Sequence, residues 1–377
     1  MVTCTRLSLA TAALRIVSLL VAMAIVTPLD AETTFRLFGS AGAEAQHTPA
    51  NEDSPLNPDN VGRVPDRTSL GDASVFLEAM PDDRSWKARV KLRGDASDRG
   101  NDSTEIGEAL LQVSAAGWLD ITAGRVIEKW GTGYAWNPTA FIGPRKSPSD
   151  PGDRRSSYRG IDMVKADVFV KDTAVSLYRL RDGDYAARAY RLVHGIDGSL
   201  YLRGGDDPTQ YGFSLAKVFG NALELHAEVA RSDGFVKALA GGQYTFRNGI
   251  NLVVELYHDD EGLSRRAWAS FRELVGTSED PFDLREANLR YQPLRMARDY
   301  AFVRLHDGDL WRGVEAELIA ITNLRDASTL VRLSLSHRIT PNISLYVIDT
   351  EFMGSEGSEF AYVQIERVTT LGFRIHF

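Results

Sequence analysis

The chain has 377 residues, 44% hydrophobic and 25% charged, a balance that fits a folded protein and excludes a disordered one. Its formal net charge of −8 offers no basic footprint, so nucleic acid is not an expected partner. The single cysteine, Cys4, lies near the N-terminus, which excludes disulfides and thiolate metal sites from the rest of the chain; no redox or nucleotide cofactor and no tight metal site is implied.

Arg6 and Arg15 precede an apolar run at residues 16–26, and Ala31 supplies a small residue before a cleavage point. This arrangement predicts a cleaved secretory signal peptide over residues 1–31 and a mature chain of 32–377. Beyond residue 31 no stretch approaches the roughly 20 apolar residues that a membrane-spanning helix requires. If the mature chain crosses a membrane, it does so as strands, because only helices and closed barrels satisfy every backbone group in lipid.

Alternation with a period of two runs from residue 72 to the end. Val164, Ala166, Val168 and Val170 alternate with Lys165 and Asp167. Leu223, Leu225, Ala227 and Val229 alternate with Glu224, His226 and Glu228, and Ala301, Val303 and Leu305 with Phe302, Arg304 and His306. Successive residues of a strand face opposite ways, so each segment has one apolar and one polar face. Charge on nearly every strand and the lack of helical interruption favour a barrel with an apolar outside and a wet lumen over a soluble sandwich.

Short turns are expected at 81–84, 115–117, 171–173, 194–197, 219–221, 247–249, 306–311 and 338–342, many with the Gly, Asn, Asp or Pro of tight hairpins. Long connections fall at 47–70, 131–159, 260–298 and 353–360, and residues 263–275 suit a short helix within the third. The predicted fold is an all-β, transmembrane, up-and-down antiparallel β-barrel of about 18 strands (range 14–18). Its first strand is expected at 35–46 and its last at 361–377, with both termini on the short-turn rim. The long loops at 47–70, 131–159 and 260–298 are expected to be extracellular or folded into the pore.

The chain ends Leu371-Gly-Phe-Arg-Ile-His-Phe377, with Leu371, Phe373, Ile375 and Phe377 on one face and Gly372, Arg374 and His376 on the other. This resembles the C-terminal strand of Gram-negative outer-membrane proteins. The resemblance implies a bacterial outer-membrane location among lipid and lipopolysaccharide, with the barrel-assembly machinery reading Phe373, Ile375 and Phe377. A second segment joins Gly124-Arg125, Trp130-Gly131-Thr132-Gly133 and Trp136-Asn137-Pro138 to a Pro-rich loop. It is similar to a segment of porin-like and polysaccharide-export barrels, and implies a channel-type barrel.

The 131–159 loop carries Arg145, Lys146, Arg154, Arg155 and Arg159 beside Asp150 and Asp153. Charged side chains at a constriction set selectivity, which makes these five basic residues pore-constriction candidates; on an external loop they would instead meet lipopolysaccharide phosphates. Lys87, Arg89, Lys91 and Arg93 share one strand face, and Glu224, His226, Glu228, Glu315 and Glu317 form acidic strips. All nine are lumen-facing candidates, either creating a transverse field or pairing along the wall. Trp86, Trp118 and Trp311 sit beside short turns, where an interfacial belt belongs. Trp130, Tyr134 and Trp136 suggest an aromatic slide for sugars.

These features predict a porin-like channel for a small hydrophilic solute, with saccharides and anions as the candidate classes, and no catalytic residues. The alternatives are a structural or export component for surface polysaccharide and a barrel enzyme of the lipase or deacylase type. Ser336 and His337 are adjacent in a strand, so their side chains diverge and do not form a catalytic pair.

Overall fold

The structure, a computed structural model, describes residues 33–100, 102–150, 159–277 and 281–377. The expected signal peptide at 1–31, and Arg154 and Arg155, lie outside the described residues. The strands, in chain order, are β1 (Thr33–His47), β2 (Arg67–Pro81), β3 (Trp86–Ser97), β4 (Ser103–Ala116), β5 (Leu119–Val126), β6 (Ile161–Val170), β7 (Thr173–Leu180), β8 (Tyr185–Val193) and β9 (Ile196–Gly204). They continue with β10 (Gln210–Phe219), β11 (Leu223–Ser232), β12 (Phe235–Thr245), β13 (Asn251–Asp259), β14 (Asp299–Trp311), β15 (Val314–Asn323), β16 (Thr329–Thr340), β17 (Ile343–Met353) and β18 (Arg367–His376). Each pairs antiparallel with the next, and β18 returns to β1 with Ser40 opposite His376 and Ala45 opposite Leu371. The 18-stranded sheet is therefore a closed barrel without a free edge, as the period-two pattern predicts.

The alternation sorts side chains by face. Leu225, Leu256, Val303, Leu305, Leu333 and Leu335 are exposed on the outside, while Glu228, Glu255 and Phe302 on the same or adjoining strands are buried inside. Trp118, Phe169, Phe219, Phe246, Trp311 and Phe377 are all exposed beside the short-turn rim, the position of an interfacial aromatic girdle. Phe377 also seals the closure. It exchanges backbone hydrogen bonds with Gly39 at 2.8 and 3.1 Å. A Cβ at Gly39 would come within 2.6 Å of the Phe377 ring, so only glycine admits it.

Turn chemistry explains the tight hairpins. His194-Gly195 and Arg312-Gly313 each place two successive residues at positive φ, the type I′ geometry whose twist matches paired strands. β14 runs through the turn expected at 306–311, with a bulge between Asp307 and Trp311, and the chain reverses at Arg312-Gly313 instead.

Two further expectations need correction at the opposite rim. The last strand begins at Arg367 rather than 361, because Glu359–Tyr362 forms a 3-10 turn. Phe360, Tyr362 and Val363 there are buried in contacts above the lumen, which a strand continuing upward would expose. The helix expected at 263–275 is present as α1 (Arg265–Gly276), capped by the Ser264 hydroxyl accepting from the Ala267 amide. A second helix, α2 (Pro281–Arg290), follows with proline in its first turn, where the missing N–H costs nothing. Trp268, Phe271 and Val275 of α1 pack on Leu56, Ala287, Met296 and Tyr362, so three connections join into a cap over one side of the barrel mouth.

The cap is tied down by one carboxylate. Glu359, fully buried, accepts from the Leu294 amide at 2.7 Å, the Tyr300 hydroxyl at 2.8 Å and the Asn323 side-chain amide at 2.6 Å. Burial pushes its carboxyl up to about 7.

Candidate functional site

The connection from β5 to β6 turns into the lumen. Trp130 leads the entry: it is 2% exposed and packs against Tyr178 and Tyr201, inward residues of β7 and β9, at ring distances of 5.5 and 5.0 Å. The chain then crosses to β11 and β13. Two fully buried glutamates meet it there. Glu228 accepts hydrogen bonds from the Thr132 amide, the Gly133 amide at 2.6 Å, and the Thr139 amide and hydroxyl at 3.2 and 2.7 Å. Glu255 accepts from the amides of Tyr134 and Ala135, the second at 2.8 Å. Five backbone donors of an irregular segment thus find partners in a region shut off from water, where each unsatisfied donor would cost about 1–3 kcal/mol.

The Trp-Gly-Thr-Gly sequence makes this approach feasible. Gly131 has φ +92°, and a Cβ there would lie 2.7 Å from both Glu228 carboxylate oxygens. His226 completes the clamp, with Nε2 2.8 Å from Glu255 Oε1. Among the described residues no group of three or more His, Cys, Asp or Glu is arranged to hold a metal ion.

Beyond the clamp, Trp136 stacks on Tyr257 at 4.8 Å with an interplanar angle of 5°. Trp136, Ala135, Leu239, Val253, Phe302, Ile319, Ile321 and Leu330 form one buried cluster. Trp130 and Trp136 are therefore packing anchors, and the aromatic-slide expectation does not fit their burial. The returning arm is closed by Asn137, which donates to the Pro144 carbonyl at 3.1 Å and accepts from the Lys146 amide at 3.0 Å. The Lys146 ammonium donates to the Gly133 carbonyl, and burial holds its pKa below the usual lysine value. Asp150 reaches Arg332 of β16 at 3.1 Å.

This arm leaves the other side of the lumen open. A cavity of about 1920 Å³ lies between the arm, the cap, the inward faces of β1–β3 and β16–β18, and the long-loop ends of β9–β14. Ser40, Ser74, Ser334, Ser336, Thr350 and Thr370 give that wall a row of hydroxyls. Among the described residues, eleven arginines and lysines line the cavity against five aspartates and glutamates. Arg145 is among them, exposed to the space and without an ion pair among the described residues. A smaller cavity of about 440 Å³ lies nearer the short-turn rim, lined by Lys87, Arg89, Glu108, Lys165 and Arg188 among others.

The candidates from sequence thus fall in different places. Arg145 and Lys146 lie in the inward arm beside the large cavity. Arg159 does not line it; its side chain is 76% exposed and stands 3.7 Å from Glu105 at the rim. The basic strip of β3 pairs with neighbours: Arg89 with Glu78 at 2.8 Å and Glu108 at 3.6 Å, Lys91 with Glu108 at 3.7 Å, and Arg93 with Asp95 at 2.5 Å. Glu315 meets His306 at 2.8 Å, and Glu317 meets Arg304 at 2.5 Å and Arg332 at 3.2 Å. Glu224 lies 3.6 Å from His226. Phe373, Ile375 and Phe377 point outward, each about half exposed. Alternation with Leu252, Val254 and Leu256 puts Glu255 on the inner face without giving its role, and Glu359, in a connection, escapes alternation altogether. The visible signal for Glu255 is a lone carboxylate in the run Leu252-Val253-Val254-Glu255-Leu256.

The closed antiparallel barrel has the fold of bacterial outer-membrane porins. Solved structures bear this out at the level of fold. A mutant porin of Rhodopseudomonas blastica is similar with a TM-score of 0.52 and 12% identity, over 91% of this chain and 100% of that one. OccK11 (OpdR) of Pseudomonas aeruginosa gives a TM-score of 0.58 and 11% identity, over 91% and 96%. No protein-family model matches the sequence, and no curated protein sequence matches it.

Proposed function

We propose that this protein is a channel of the bacterial outer membrane that passes small hydrophilic solutes and favours anionic ones. The reading rests on one observation: a chain with net charge −8 encloses a polar cavity in which, among the described residues, lining cations outnumber lining anions by eleven to five. Low-dielectric walls focus that field, so counter-ions concentrate in the passage. Arg145 and Lys146 then act at the narrowing made by the inward arm, together with Arg332 on the facing wall. Export follows from the signal peptide at 1–31. Assembly follows from an outward Phe373, Ile375 and Phe377 presented to the barrel-assembly machinery.

Reconstitution into planar bilayers tests the reading. Stepwise ohmic openings with a reversal potential of anion-selective sign are expected in a salt gradient. Cation selectivity, or the absence of discrete openings from folded protein, would reject it.

A further inference from the structure

A second cavity, about 660 Å³, lies on the outside of the barrel and belongs to no part of the pore. It is a groove across β4–β7 at the long-loop rim. Ile106 and Val164, 42% and 52% exposed, form its flanks, and Ala109 its floor. Gly124 lies beside Ala109 without a side chain, since a Cβ there would collide with the Ala109 carbonyl. Its upper end is basic. Arg125 pairs with Asp162 at 2.7 Å, and Arg181 reaches the same carboxylate at 3.0 Å. Arg179 stands opposite Val164, exposed, with no ion pair among the described residues.

Two guanidiniums, Arg125 and Arg181, share the Asp162 carboxylate, and Arg179 stands beside them with no ion pair among the described residues, on a face that should be apolar. A cation on the lipid side of a barrel is destabilising unless it lies at headgroup level and meets an anion there. We infer that this groove binds the phosphorylated lipid A anchor of lipopolysaccharide, with an acyl chain along Ile106, Ala109 and Val164 and a phosphate among Arg125, Arg179 and Arg181. The described ends, Thr33 and Phe377, lie on the other rim, which puts the groove in the outer leaflet on the outer-membrane reading above. A phosphomonoester carries up to two negative charges and several acceptor oxygens, which suits a fork of arginines better than the single charge of a phosphodiester lipid. The site holds its ligand independently of transport, because Arg125, Asp162, Arg179 and Arg181 all face away from the lumen.

Native mass spectrometry of the detergent-solubilised full mature chain tests this. The probes are bis-phosphorylated lipid A, the same lipid enzymatically dephosphorylated, and phosphatidylglycerol. Wild type should retain bis-phosphorylated lipid A, and the double variant R179Q/R181Q should bind it about tenfold more weakly, the loss of one to two charge-assisted contacts. Ala109→Phe, which fills the groove and leaves every arginine in place, should weaken retention as well. Single-channel conductance of all three proteins should be the same, which also shows that the variants fold. Equal retention by R179Q/R181Q and wild type, or equal retention of the dephosphorylated lipid or of phosphatidylglycerol, would overturn the site. None of those outcomes touches the channel reading, and a wild type that bound lipid A yet failed to conduct would reject the channel and leave the groove.

Discussion

The two sides of the lumen are built from the same alternating strands and hold opposite contents. Along β12–β16 the inward positions include Leu239, Val253, Phe302, Ile319, Ile321 and Leu330, which form one buried cluster with Ala135 and Trp136 of the arm. Along β1–β3 and β16–β18 they are Ser40, Asp72, Ser74, Ser336, Tyr346, Thr370 and Arg374, which line open space. Apolar area removed from water on the first side, at roughly 25 cal/mol per Å², holds the arm in place. On the second side hydroxyls and paired charges such as Arg374–Asp72, 2.9 Å apart, keep the wall wet. The barrel is thus half filled on purpose of composition: one arc is a protein core and the other is a passage.

The contrast is broken most severely by cutting the clamp. Replacing Glu228 and Glu255 together by alanine strands the amides of residues 132–135 and 139, and each buried donor left without an acceptor costs about 1–3 kcal/mol. The arm should detach, and single-channel conductance should rise with loss of selectivity. Unchanged conductance in folded double mutant would mean that packing by Trp130 and Trp136 suffices.

Next in size is the pH response of the cap. A carboxyl raised from 4.5 to about 7 binds its proton more tightly in the folded protein than in the unfolded chain. Folding of the cap is therefore favoured at low pH, loses stability as pH rises between those two values, and is constant above them, a total of roughly 3 kcal/mol. Hydrogen exchange of the amides at 294 and 359 should accelerate from pH 5 to pH 8 beyond the intrinsic pH effect. Glu359→Gln should flatten that excess; if it persists in the variant, another group is responsible.

A smaller effect sharpens the wet side. Arg145→Glu exchanges a cation with no ion pair among the described residues for an anion in the cavity, and should move the reversal potential toward cations while leaving conductance of the same order. The least effect belongs to Arg159→Gln. Its partner Glu105 lies at the rim, and exposed pairs of this kind contribute about 0–1 kcal/mol. Selectivity should match wild type, and a shift as large as that of Arg145→Glu would show that the rim charge reaches the passage.

Much of the wall was legible from residue order. Lys87, Arg89, Lys91 and Arg93 share a face because alternation puts them there, and the tight turn at His194-Gly195 follows from local chemistry. The filled arc also left a trace. Leu318-Ile319-Ala320-Ile321 and Leu252-Val253-Val254 are apolar on both faces, which a strand between lipid and water would not be. Such runs report burial on both sides, and they identify the strands that the arm covers.

Period-two alternation, tight-turn residues and the terminal aromatic are local properties, so the sequence by itself determined a closed wall of 14 to 18 strands with an apolar exterior, and closure fixed the number at 18. What fills the lumen depends on contacts between residues 96 and 121 positions apart, Thr132 with Glu228 and Tyr134 with Glu255. Alternation states which face a side chain takes and is silent on what stands across from it. Only the tertiary structure decided that Glu228 and Glu255 hold a loop and that Arg145 borders open space, because burial and pairing are set by what the closed barrel brings opposite each strand.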